Sequence, residues 1–86
     1  MYSIVYSEDA AKYIRKLDRA VQQRILSAIE RIRIKPSDHV KRLVGSTYYK
    51  FRAGDYRIIL DMDEGRLVIL VIKVGHRENV YDKLPQ

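Results

Sequence analysis

Tyr49-Lys50-Phe51-Arg52-Ala53-Gly54-Asp55-Tyr56-Arg57 is the stretch on which the fold turns. Apolar and basic residues alternate on either side of Gly54-Asp55, and aromatic residues are frequent, which is the signature of a β-hairpin. The arms are expected over Tyr48–Arg52 and Tyr56–Asp61. Successive strand side chains point to opposite faces, so Lys50 and Arg52 lie together. Whether Arg57 joins them depends on register. With Arg52 opposite Arg57, Lys50 faces Ile59 and all three cations share a face. With Arg52 opposite Tyr56, Arg57 points the other way, because a one-residue slip reverses the faces. The first register is expected, with Ala53-Gly54-Asp55-Tyr56 as a four-residue loop.

Working outward, Arg66–Val74 reads as a third strand joined to the hairpin through Glu64-Gly65. Turns this short force antiparallel neighbours. Leu67 to Ile72 is apolar on both faces, as in a central strand. Counting back from the turn places Val68, Leu70 and Ile72 on Arg57's face, and the strand is expected to end in a Gly75-His76-Arg77 corner. Upstream, Tyr2 to Tyr6 alternates as a strand and Ser7 suits an N-cap, followed by Glu8 and Asp9 where the helix dipole favours acids. Ala10, Ile14 and Leu17 stripe a first helix. Asp18 is placed to cap a second, striped by Val21, Ile25, Ala28, Ile29 and Ile32. Pro36 is expected to end it, and Ser37–Thr47 reads as polar and irregular. Val80–Leu84 is read as a final helical turn stopped by Pro85. The order is β-α-α-β-β-β: an α+β fold, one domain over residues 1–86, with antiparallel hairpins in a small twisted sheet packed on a helical hairpin.

The helices cover one sheet face. The other is left as a partly apolar concavity, which implies a protein partner. The chain has 86 residues and a net charge of +6, from 17 Lys and Arg against 11 Asp and Glu. That balance fits a polyanionic partner and equally fits simple solubility. No apolar run approaches the roughly 20 residues a membrane span requires, and Met1-Tyr2-Ser3-Ile4-Val5 has no signal-peptide pattern, so a cytoplasmic protein without membrane association is expected. There is no cysteine, hence no disulfide or thiolate chemistry. His39 and His76 lack metal-ligand spacing, and no cofactor is expected.

Lys50, Arg52 and Arg57 on one face, with Arg77 aimed at it, form a surface that can hold a phosphodiester through guanidinium forks. The same set can cleave one. RNA cleavage needs a base for the 2′-OH, cations around the phosphate and an acid for the leaving 5′-oxygen. Lys50 is the candidate base, and Tyr81 or His76 can orient the base or phosphate or serve as the acid. Lys41, Arg42, Tyr48 and His76 are candidate auxiliary RNA contacts, tyrosines being surfaces on which an unpaired base stacks. The same alternation of cations is also the ordinary pattern of a solvated strand face.

The chain resembles the RelE/ParE toxin superfamily, and the RelE branch in particular. The resemblance runs through Lys41-Arg42-Leu43-Val44-Gly45, Tyr49-Lys50-Phe51-Arg52, Gly54-Asp55-Tyr56-Arg57-Ile58-Ile59 and Val74-Gly75-His76-Arg77-Glu78-Asn79-Val80-Tyr81. It implies the toxin of a type II toxin–antitoxin pair that enters the ribosomal A site and cuts bound mRNA without metal, using the 2′-OH. It also implies a RelB-like antitoxin that neutralises the toxin, and operator DNA bound only by the toxin–antitoxin complex. By position, Lys50 matches a catalytic lysine, Arg57 and Arg77 phosphate-stabilising arginines, and Tyr81 the C-terminal tyrosine that positions or activates substrate. Arg52 stands where relatives carry a second lysine. A guanidinium stays protonated, which makes Arg52 a phosphate holder and a poor proton shuttle. A ParE-like inhibitor of DNA gyrase that cuts nothing is the alternative, since both activities share one fold. A module that binds only antitoxin and operator DNA is the third.

Overall fold

The computed structural model describes residues 1–76, and Arg77, Tyr81 and the expected turn at Val80–Leu84 lie outside that range. The elements are β1 (Ser3–Tyr6), α1 (Glu8–Arg15), α2 (Arg19–Arg31), a 3-10 turn (Pro36–Asp38), β2 (Lys41–Arg42), β3 (Tyr49–Ala53), β4 (Tyr56–Asp63) and β5 (Val68–His76). The sheet order is β1-β5-β4-β3-β2, with β1 parallel to β5 and the remaining pairs antiparallel. The α+β architecture and the β-α-α-β-β-β order are as read from the sequence, with one added edge strand.

Helix α1 starts where Ser7 accepts the Ala10 N–H at 3.1 Å and donates its hydroxyl to the Ile72 carbonyl at 2.7 Å. One side chain therefore caps the helix and ties it to β5. Asp18 occupies the N-cap position of α2 but makes no side-chain capping bond. Gln22 turns back instead, donating to the Leu17 carbonyl at 2.8 Å. Helix α2 ends at Arg31, short of Pro36, with Ile32 as C-cap. The expected role of Pro36 is corrected accordingly: it opens the 3-10 turn, where its fixed φ suits a first helical position.

The core is one layer thick. Ala10, Ile14, Ile25, Ala28, Ile29 and Ile32 of the helices meet Ala53, Ile58, Leu60, Ile69, Val71 and Val74 of the sheet. Cross-strand pairing of Ile58 with Val74, Leu60 with Val71 and Met62 with Ile69 puts these sheet residues on one face. Each fully buried isoleucine contributes on the order of 1.5–3 kcal/mol of transfer free energy. The helical stripe and the period-two sheet pattern thus meet in register, which is what fixes the second face of the sheet as the open one.

Two turns differ from expectation. Ala53 pairs with Tyr56, so the hairpin loop is Gly54-Asp55 alone, with Gly54 at φ +61° as the first central position of a type II′ turn demands. Arg66 and Leu67 fall in the next turn instead of β5, and Leu67 adopts φ +56°. Lys41–Arg42, expected to be irregular, pairs with β3 as the short edge strand β2.

Candidate functional site

Register places the cations. Arg52 is opposite Arg57 and Lys50 opposite Ile59, the arrangement expected from the sequence. Lys41 is opposite Lys50 on the other side of β3. Cross-strand partners share a face, so Lys41, Lys50, Arg52 and Arg57 all project from the side of the sheet away from the helices. A cleft of about 370 Å³ lies there, lined among the described residues by His39, Lys41, Lys50, Phe51, Arg52 and Arg57.

A bulge completes the geometry. The β4–β5 register shifts between Ile59, which faces Lys73, and Leu60, which faces Val71, so Ile72 is the extra residue. Without it Val74 would oppose Arg57. With it the partner is Gly75, which has no side chain to crowd the guanidinium. The Ser7 hydroxyl bonded to the Ile72 carbonyl holds the bulge at its extra residue. Strand β5 continues through Gly75 to His76, so the expected corner at Gly75-His76 is part of the strand. Val68 and Leu70 share Arg57's face as counted, while Ile72 is consumed by the bulge.

The electrostatics of the face are strained. Lys41 opposes Lys50 and Arg52 opposes Arg57, and like charges directly across strands each cost roughly 0.2–1 kcal/mol. Ion pairs occur elsewhere: Glu30–Arg33 at 2.9 Å, Asp63–Arg66 at 3.7 Å, Asp9–Lys73 at 4.0 Å and Lys35–Asp38 at 4.0 Å. Lys41, Lys50 and Arg52 enter no ion pair among the described residues. A bound anion relieves such repulsion. Toward β1 the same face changes character: Val5 faces Leu70, which faces Asp61, and Ser3 faces Val68, which faces Asp63. The open face is therefore cationic at its β2–β3 end and apolar with acids at its β1 end.

Two expected auxiliary contacts lie on the wrong face. Arg42 pairs with Tyr49, opposite in sense to Lys41, and its guanidinium stacks 5.3 Å from the Tyr49 ring while donating to its hydroxyl at 3.1 Å. That hydrogen bond is the main reason the Arg42 pKa is raised. His76 pairs with Tyr56 on the helix side, where its ring meets Tyr56 edge-on at 5.8 Å and Tyr56 meets Tyr13 at 6.5 Å. It packs as an aromatic and stands away from the cation cleft. Tyr48 sits just before β3, half-buried, with its carbonyl accepting from Leu43 at 2.9 Å. His39 lines the cleft although nothing in its sequence context marks it. Among the described residues no three His, Asp or Glu side chains gather to hold a metal, and no helix is long and apolar enough to cross a membrane.

This frame of helices over one sheet face and cations on the other has known counterparts. A family model described as the ParE toxin of the type II toxin–antitoxin system parDE matches residues 4–81. The chain belongs to the RelE/ParE toxin superfamily. It is a toxin of a type II toxin–antitoxin system. A RelE-like toxin protein of Escherichia coli is 30% identical over 80 residues, spanning 90% of this chain and 84% of its own. The fold matches the toxin–antitoxin complex RelBE2 of Mycobacterium tuberculosis with TM-score 0.78 at 20% identity, covering 88% of this chain and 98% of the other. For the archaeal RelE–RelB complex of Pyrococcus horikoshii the TM-score is 0.76 at 25% identity, with 91% and 97% covered. For the intact RelBE complex of Escherichia coli it is 0.74 at 26% identity, with 88% and 96% covered.

Proposed function

We propose that this toxin is a ribosome-dependent, metal-free mRNA endonuclease that inhibits translation. The observation that carries the reading is the shared face of Lys41, Lys50, Arg52 and Arg57 around one cleft. In this scheme the 2′-oxygen of the nucleotide before the scissile bond attacks its own phosphorus while Lys50 removes the hydroxyl proton. Arg52 and Arg57 hold the phosphate oxygens as negative charge builds, with Arg77 joining them. The bond from phosphorus to the 5′-oxygen breaks, that oxygen takes a proton from Tyr81, and the products are a 2′,3′-cyclic phosphate and a 5′-hydroxyl. Lys50 is the proton carrier in this scheme because guanidiniums stay protonated at every accessible pH. The ribosome supplies the aligned message, which a shallow cleft on a small chain does not align by itself.

The neutralising partner in this proposal is a cognate RelB-like antitoxin, as in the relatives solved as RelE–RelB complexes. It would engage the basic face with an acidic segment and Val5, Val68 and Leu70 with an apolar one. Toxin and antitoxin together would bind operator DNA, in the cytoplasm. The test is addition of the toxin to a translation extract with primer extension on the message. Cleavage is expected for the wild type and lost in the double variant Arg57→Ala with Arg77→Ala. Unchanged cleavage by the double variant would show that the site is assigned wrongly.

A second reading rests on the matched ParE description: inhibition of DNA gyrase without RNA cleavage. It predicts loss of supercoiling activity with intact message, and the two assays separate the readings because each has its own substrate.

A further inference from the structure

The cations on the open face are arranged as two rungs. Arg52 and Arg57 form one across β3 and β4, and Lys41 and Lys50 form the other across β2 and β3. Lys50 and Arg52 are two residues apart on one strand, so the rungs are offset by about 6.6 Å along it. They are also displaced by one strand spacing, roughly 4.8 Å, across the sheet. A basic groove of this kind tracks the backbone of a single strand, so the two rungs can meet different phosphates. In the proposed scheme the scissile phosphodiester engages Lys50, Arg52 and Arg57, so the outer member of the second rung, Lys41, is left to meet a neighbouring linkage.

On the reading that this cleft takes RNA phosphates, we infer that Lys41 is the holder of a second phosphate, adjacent to the one gripped by Arg52 and Arg57, and that the bound strand leaves the scissile site toward β2. Two features fix the direction. Lys41 enters no ion pair among the described residues and is exposed on the edge strand β2. In the opposite direction the face presents Val5, Val68 and Leu70 with Asp61, and the cations there, Arg66 and Lys73, are already paired with Asp63 and Asp9. The substrate class is thus a single-stranded RNA contacted over two consecutive phosphates, with its path set by the change from a cationic to an apolar surface along the sheet. Lys41 is a positioning residue: it holds the neighbouring linkage and leaves the reacting atoms to Lys50, Arg52 and Arg57.

The test uses 2′-O-methyl uridine oligonucleotides, which cannot be cleaved, and follows binding to the whole protein by amide chemical shifts. A dinucleotide carries one phosphodiester and a trinucleotide two. The wild type is expected to bind the trinucleotide about fivefold more tightly, the upper end for an exposed charge pair. Lys41→Gln should erase that preference and leave dinucleotide affinity within about twofold. Its slope of log affinity against log salt on the trinucleotide should fall by about 0.7, the counterion release of one single-strand phosphate. Lys41→Arg should restore the preference. Arg57→Ala should weaken both ligands, which reports on the cleft itself. Equal loss on both ligands in Lys41→Gln, or no loss on either, overturns the second subsite while leaving the phosphate-binding cleft in place. Failure of the wild type to bind either oligonucleotide overturns the cleft reading and the subsite with it.

Discussion

Replacing Lys50 with glutamate should abolish toxicity and make the protein more stable. Lys50 is half-buried, stands directly across from Lys41 and lies on the face of Arg52 and Arg57. Removing a like-charged cross-strand pair gains roughly 0.2–1 kcal/mol, and creating an opposite-charged pair gains about the same again. Lys41 is exposed, so screening pulls the sum toward the low half, about 1 kcal/mol. For a chain of this size that corresponds to a rise in Tm of about 4–8 °C. Lys50→Met removes the charge without adding its opposite and should give about half the gain. Thermal melts by circular dichroism at 10 mM and 1 M salt are the assay. The Debye length falls from about 30 Å to about 3 Å over that range, so the gain of Lys50→Glu should largely disappear at high salt. A fall in Tm at low salt, or a gain indifferent to salt, would show that the cations are not arrayed as described.

Other expectations concern the frame that carries this face. Ser7→Ala removes an N-cap worth about 1 kcal/mol and a hydrogen bond to the Ile72 carbonyl worth about another. Urea titration should show a loss of about 2 kcal/mol, and Ser7→Thr should recover most of it. Leu67→Asn should raise stability by about 1 kcal/mol in the same assay, because Leu67 holds φ +56°, a region asparagine adopts at lower cost than leucine. Burial, reinforced by Glu30 and opposed by Arg33, raises the Tyr6 pKa above its usual value near 10. The folded state therefore keeps the phenol proton longer than the unfolded chain does. Stability from Tyr6 is present in full below pH 10 and lost as pH rises through the raised value, and Tyr6→Phe should flatten that alkaline decline in melts taken from pH 9 to 11.5.

Sequence pattern was a good guide wherever a periodicity met a buried surface. Ile25, Ala28, Ile29 and Ile32 follow the helical repeat and all are buried. The alternation around Gly54-Asp55 marked the hairpin but left two registers open, and the structure has the expected one, Arg52 opposite Arg57. Pattern failed where structure depends on partners distant in sequence. Lys41–Arg42 is a strand only because β3 lies beside it, and two residues carry no period to read. The bulge at Ile72 arises where the Ser7 hydroxyl reaches across 65 positions, and no local spacing announces it. His76 looked like site chemistry, yet strand alternation puts it with Tyr56 on the opposite side from Gly75 and Arg57. Leu67 was expected inside a strand, but closing the turn onto Asp63 and Val68 requires its left-handed conformation.

The central claim is tested most directly by mapping RNA ends in a translation extract treated with the toxin, alongside gyrase supercoiling under matched conditions. New 5′-hydroxyl ends and 2′,3′-cyclic phosphate ends are expected on messages occupied by ribosomes, absent from free RNA and absent with Lys50→Glu, while supercoiling proceeds normally. Intact messages with supercoiling blocked by the wild type would contradict the account.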